Sequence, residues 1–211
     1  MINKFILFLI VIPFFLNANE NDNDCNIFKS NELAGCDFTN RDLSNLDFQL
    51  ANFTGANLSG ANLSNSIFSN AIFVDAMLIN TNFQDVEIDN TDFSNANFTN
   101  SNISNTFFSY SNLSNTNFTN ATLNFTDFTE TDLTNSNFSN AELKKLMSYK
   151  SIMKDINFTN AYIEDSFFDD DEFANINFNN TNIINLDISN DLIEIYIKQC
   201  ISNKSDLSDC K

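Results

Sequence analysis

From Asn31 to Ile188 an apolar residue recurs at every fifth position. The series begins Leu33, Phe38, Leu43, Phe48, Phe53 and Leu58, and keeps its phase to Phe178, Ile183 and Ile188. Ser148 is its one polar member. Two residues before each central position lies a second series of mostly small residues, as at Ala51, Ala56, Ala61, Ser66, Ala71 and Ala76. The other three places are mostly Asn or Asp, then Ser or Thr, then Asn. A period of five fits neither the 3.6-residue helix nor the two-residue strand. A unit this short cannot bury its own large side chain and must stack on copies of itself. With one large and one small residue per unit turned inward, the backbone must turn a corner about every five residues. Four corners close a coil of about twenty residues, and coils stack through backbone hydrogen bonds at roughly 4.8 Å.

Sorting the central residues by a period of twenty supports four units per coil. The column from Phe38 to Phe178 holds six Phe, whereas the column from Leu43 to Ile183 holds Phe83 alone. Residues twenty apart are therefore expected to lie over one another. Ala51-Asn52-Phe53-Thr54-Gly55, Ala56-Asn57-Leu58-Ser59-Gly60 and Ala61-Asn62-Leu63-Ser64-Asn65 resemble the A(D/N)(L/F)xx signature of the pentapeptide-repeat family. The resemblance covers about three quarters of the chain. It implies an all-β fold, a right-handed quadrilateral β-helix with the central residue and the one two before it facing inward. It does not fix a function, because the fold is mainly a scaffold.

Length and composition refine this picture. At 211 residues the chain is one domain. Gly and Pro number only 3 and 1, so Asn takes the turns, tolerating left-handed backbone better than other non-Gly residues. The 24 Phe are core mass. The formal net charge is −18, and no Lys or Arg occurs between Arg41 and Lys144. Direct nucleic-acid binding is excluded on that ground, whereas such a rod is soluble, self-repelling and attractive to basic partners.

The ends depart from the repeat. Residues 1–18 read as a signal peptide: Lys4, an apolar run from Phe5 to Leu16, and a cleavage site at Leu16-Asn17-Ala18. Export to the periplasm or beyond the cell is the expectation, with no other membrane segment. Residues 19–32 form a polar lead-in and cap, 33–188 the β-helix, and 189–211 a helical cap over the last coil. In that cap Leu192, Ile193, Tyr196, Cys200 and Ile201 share one helical face. Two cysteines lie at each end, favouring local disulfides Cys25–Cys36 and Cys200–Cys210. The stretch 144–152, basic and of helix-forming composition, is expected to be an irregular side. Asp169-Asp170-Asp171-Glu172 reads as a solvated corner in preference to a calcium loop, although Asp171 occupies an inward place.

Catalytic chemistry is scarce. With no His, no nucleophile elbow and no phosphate loop, neither an enzyme nor a cofactor or metal site is expected. Function then belongs to the surface. The place before the central residue, normally Asn or Asp, holds Ile67, Phe107, Met147 and Phe167 in one column, and Tyr110 is also nominally outward. Exposed apolar residues in line are candidates for a contact with a partner protein, a second copy of the chain included. The leading expectation is an exported, non-enzymatic interaction scaffold. The family resemblance implies an alternative, an acidic duplex-DNA mimic that binds a type II topoisomerase. A further alternative is binding to ice or a crystal surface through outward Ser and Thr such as Thr54, Ser59, Ser64, Ser69, Ser94, Thr99 and Ser104.

Overall fold

The computed structural model describes residues 25–27 and 30–188. Over 31–188 the backbone winds as a right-handed square coil of about eight turns. In each five-residue unit the residue before the central one pairs in parallel with the residue twenty positions on, as in Glu32↔Asn52, Asp37↔Asn57, Asp42↔Asn62 and Asp47↔Ile67. We number the sides by their central residues: side 1 runs from Leu33 to Phe173, side 2 from Phe38 to Phe178, side 3 from Leu43 to Ile183, and side 4 from Phe48 to Ile188.

A regular bond set holds the coils. On side 2 the Phe38 N–H donates to the Asn57 carbonyl (2.7 Å), the Asn40 N–H to Ser59 (2.9 Å), and the Asn57 N–H back to Cys36 (2.8 Å). These bonds run along the rod axis, so each coil satisfies the backbone of the next. Every fifth residue from Gly35 to Asn185 has φ between +50° and +70°, the left-handed turn that makes the corner.

Large side chains fill the tube as stacked columns. Phe98 and Phe118 lie 5.4 Å apart and nearly parallel, followed by Phe118–Phe138 at 4.7 Å, Phe138–Phe158 at 5.1 Å and Phe158–Phe178 at 5.3 Å. The small series is also inward, and several of its hydroxyl members solve their own burial. Thr91 and Thr131 donate to the carbonyls of Phe68 and Phe108, each 23 residues earlier, at 2.9 Å. Thr106 and Thr116 repeat this toward Phe83 and Phe93 at 3.0 Å. These Thr thus substitute for Ala without leaving an unpaired group, whereas the buried Ser136 Oγ has no hydrogen bond among the described residues.

The irregular side expected over 144–152 is not there. Glu142–Lys144 (β1), Met147–Tyr149 (β2) and Ile152–Lys154 (β3) are regular strands. They pair in register with Tyr162–Glu164 (β4), Phe167–Asp169 (β5) and Glu172–Ala174 (β6). Asn182–Ile184 (β7) and Asp187–Ile188 (β8) extend the first two of these sheets. Ladder bonds and inward Leu143, Leu146 and Met153 override the local helix propensity. No helix occurs among the described residues. Cys25 is bonded to Cys36, with Cα atoms 5.6 Å apart, which fastens the lead-in to the first coil. The proposed leader over 1–18, the capping helix over 189–211 and the Cys200–Cys210 pair lie outside the described residues.

Candidate interaction surface

Left-handed backbone suits Gly, and Asn or Asp at modest cost; for a larger side chain it costs roughly 1 kcal/mol or more. The corners between sides 1 and 2, and between sides 2 and 3, hold only Gly, Asn and Asp. Every corner residue of another type borders side 4: Phe125 and Lys145 on one edge, Leu50, Tyr110, Glu130 and Lys150 on the other. Strain of this kind persists only where the surrounding structure imposes it, and it concentrates at functional sites.

The exposed apolar surface has the same address. Among the described residues ten large apolar side chains stand exposed, and seven of them belong to side 4 or its edges: Leu50, Phe107, Tyr110, Phe125, Met147, Tyr149 and Phe167. Phe107 and Tyr110 are 53% and 57% exposed, while Met147 and Phe167 are 48% and 39%. Ile67, in the same column, is half-buried and contributes less. The sequence pattern pointed to the central column, but Tyr149, Lys145 and Lys150 did not stand out there. Their signal is positional, since each departs from the residue type its place normally holds.

The lysines are held by rings. The Lys145 ammonium lies 4.9 Å from the Phe125 ring centre and that of Lys150 4.8 Å from Tyr149. Where side 4 turns into side 1, Tyr110, Glu130, Asp132, Lys150 and Ile152 line an open groove. Acidic residues bracket the apolar zone: Asp85, Glu87 and Asp89 in the coil before it, Asp165, Asp169 and Asp170 in the coil that ends it.

Side 2 is the opposite case. Its outward positions carry Asp37 and otherwise no charged residue. Asn97, Asn117, Asn137, Asn157 and Asn177 form a ladder, each amide donating to the one before, at 3.3, 3.4, 3.0 and 3.1 Å. Some of the outward hydroxyls named above are used within the coil: Ser64, Thr99 and Ser104 donate to the Asn two residues earlier at 2.8, 2.6 and 2.8 Å. Hydroxyls already committed in this way are poor contacts for an ice or crystal lattice.

Asp171 does not belong to a solvated corner. It is partly buried, and its Oδ1 accepts from the Ser151 N–H (2.6 Å) and the Ser148 hydroxyl (3.1 Å). Its Oδ2 is buried with no hydrogen bond to any described residue. Burial pushes its pKa up to about 6, against the lowering effect of those two bonds, and the charges of Asp169 and Asp170 add to the rise. Ser148, the one polar central residue, is fully buried and faces it. Among the described residues no group of three or more His, Cys, Asp or Glu is placed to hold a metal ion.

Comparison with known proteins agrees with this geometry. The family model described as pentapeptide repeat region matches residues 81–148, and that described as pentapeptide repeats (8 copies) matches 32–70 and 56–95. Among solved structures, a trypsin-treated variant of QnrB1, described as a plasmid-mediated fluoroquinolone resistance protein, is similar with a TM-score of 0.56. The two share 15% identity over 80% of this chain and 93% of that one. HetL, a pentapeptide repeat protein involved in heterocyst differentiation regulation from the cyanobacterium Nostoc sp. strain PCC 7120, shares 12% identity. That match covers 70% of this chain and 87% of HetL, with a TM-score of 0.38. A search of curated proteins finds no match. Identities this low speak to fold alone. With the two family models together spanning residues 32–148, and with the square coil, the stacked Phe columns and the left-handed corners in place, the chain belongs to the pentapeptide-repeat family.

Proposed function

We propose that the protein is an exported, non-enzymatic interaction scaffold that binds a partner protein through side 4. The observation that carries this reading is the coincidence on one side of four of two features, which share Leu50, Tyr110 and Phe125. All six strained corner residues border side 4, and seven of the ten exposed large apolar residues lie there. A rod that only needed solubility would keep Asn at those corners. Export rests on residues 1–18 and on the Cys25–Cys36 disulfide, a bond that persists in oxidising compartments.

The test is a pull-down from the exported fraction with the intact chain, comparing wild type with Phe107→Asp on side 4 and Met77→Asp on side 2. Loss of a specific partner with the first variant and retention with the second supports the reading. Equal capture by all three refutes it. Mass spectrometry of the secreted protein locates its N-terminus.

A second reading, mimicry of duplex DNA toward a type II topoisomerase, draws on the acidity and on the likeness to the fluoroquinolone resistance protein QnrB1. Against it stand a side 2 almost free of charge and an N-terminal segment suited to export. A dose-dependent effect on gyrase supercoiling would favour it.

A further inference from the structure

The backbone bonds of this fold lie along the rod axis and are consumed coil to coil. Among the described residues no lateral backbone edge is free on side 4, so an extended strand cannot add to it there in the manner of β-augmentation. Whatever docks there meets side chains only. A helix suits that surface, because its apolar stripe repeats at i, i+3, i+4 and i+7.

Charge along the axis narrows the partner further. The outward positions of side 4 and its two edges hold ten carboxylates against Lys145 and Lys150, a net of −8. A second copy of the chain would set −8 against −8. A cationic partner would neutralise the field and be steered by it. The distribution is also uneven. The coil with Asp85, Glu87 and Asp89 and the coil with Asp165, Asp169 and Asp170 each present three carboxylates. Between them lie Phe107, Tyr110, Phe125 and Met147; Asp127 and Glu130 in the Phe125 coil are offset by Lys145 and Lys150 in the Met147 coil, so the three middle coils sum to zero charge. The acidic rows are four coil steps apart, about 19 Å at 4.8 Å per step.

Resting on the scaffold reading above, we propose that side 4 docks a cationic amphipathic helix of another protein, laid along the rod axis. Its apolar stripe covers Phe107, Phe125 and Met147. Its Lys or Arg residues sit at both ends, over the two acidic rows. Its middle carries no cation, because the three coils it crosses there are neutral in sum, Lys145 and Lys150 offsetting Asp127 and Glu130. At 1.5 Å per residue the cations at the two ends stand about 13 residues apart.

The experiment uses two synthetic helical peptides of about 16 residues with identical composition and an identical Leu stripe. One has its lysines in the first and last turns, the other has them grouped in the middle. Binding to the intact chain is measured by calorimetry at two salt concentrations. The end-charged peptide is expected to bind wild type at least about ten-fold more tightly than the mid-charged one, and more weakly at higher salt. Phe107→Asp is the decisive variant, since it adds a negative charge while removing an apolar contact. Simple polycation attraction predicts tighter binding to it; docking predicts at least about a ten-fold loss. Phe107 is exposed, so the variant keeps its coil, and circular dichroism checks this.

Equal affinity for both peptides, no binding of either, or unchanged or tighter binding to Phe107→Asp overturns the proposal. So does a wild-type dimer in light scattering that Phe107→Asp makes monomeric. A side-4-dependent partner recovered from the exported fraction whose contact is not a cationic helix would overturn this proposal while leaving the scaffold reading intact.

Discussion

Replacing Asp171 by Thr should stabilise the last coil at neutral pH and remove a pH dependence. At equivalent inward places Thr91, Thr106, Thr116 and Thr131 donate to the carbonyl 23 residues earlier. Inward hydroxyls also accept from the coil before: the Ser151 Oγ accepts from the Thr131 N–H (3.2 Å) and the Ser101 Oγ from the Thr81 N–H (3.1 Å). Asp171 keeps the accepting half through Oδ1, but its ionised carboxylate has no proton to donate, and Oδ2 is left without a bond among the described residues. Protonation restores the missing donor. The rise from 3.8 to about 6 corresponds to a ceiling of about 3 kcal/mol at 1.36 kcal/mol per unit; partial exposure reduces this to about 1–2 kcal/mol. Because the folded value is raised, the stabilisation is fully present below 3.8 and is lost as pH climbs through 6. Hydrogen exchange at the Glu172, Asn177, Asn182 and Asp187 amides, each bonded to the preceding coil, reads this locally. Wild type should show protection falling between pH 5 and 7, on the order of ten-fold, whereas Asp171→Thr should stay flat and be better protected at pH 7.5. Parallel pH profiles for the two proteins, or a less protected variant, would refute the reasoning.

Tyr110→Asn and Phe125→Asn each relieve a left-handed corner and should raise stability by roughly 1 kcal/mol, read as a higher urea midpoint, while weakening side-4 binding. Phe118→Ala opens a cavity in a column stacked on both faces and should cost about 3–5 kcal/mol by the same measure. Cys36→Ser leaves a polar group in the buried first coil and removes the clip to Cys25. A loss of about 2–3 kcal/mol should appear as faster proteolysis at the N-terminal end. Below pH 4 the trend from Asp171 reverses elsewhere, because the Thr39 and Ser44 hydroxyls hold Asp37 and Asp42 below the ordinary carboxylate range. Stability from those two groups is present above 3.8 and lost as pH falls through their lowered values, so acid unfolding should begin at the first coils.

Most of the fold was legible because the repeat is short and its phase never slips. The Phe column from Phe98 to Phe178 was readable from spacing alone, and its rings do stack. Asn at corner positions likewise announced the left-handed turns. Two features were misread for one reason, that local composition was weighed against a ladder that overrides it. Residues 144–152 look helical in isolation, yet each coil inherits its register from its neighbour. Asp171 looks like part of an acidic corner, yet its place in the five-residue unit turns it inward. The clue was Ser148, polar in a series otherwise apolar, whose partner lies 23 residues on. For the surface, the sequence marked Phe107, Met147, Phe167 and Tyr110 as outward. That the bulky corners all border one side emerges only when corner type and coil geometry are taken together.

The magnitude of the corner strain supports the contact role proposed for side 4. Six corner residues that are neither Gly, Asn nor Asp sit in the left-handed region. At roughly 1 kcal/mol each they forgo about 6 kcal/mol, on the scale of a whole domain's net stability of 5–15 kcal/mol. Asn at the same places would recover most of it, and the 25 other corners among the described residues show that Gly, Asn and Asp are readily accommodated. Drift would scatter such costly exceptions over four corner columns; instead they fill the two that flank side 4. The same side carries the exposed apolar residues, although burial of the core makes no demand on what faces outward there. Two departures from the repeat, one of backbone strain and one of hydrophobic exposure, overlap at Leu50, Tyr110 and Phe125 and converge on a single face. A binding surface accounts for both at once, since large side chains at an edge widen the contact that the central column begins.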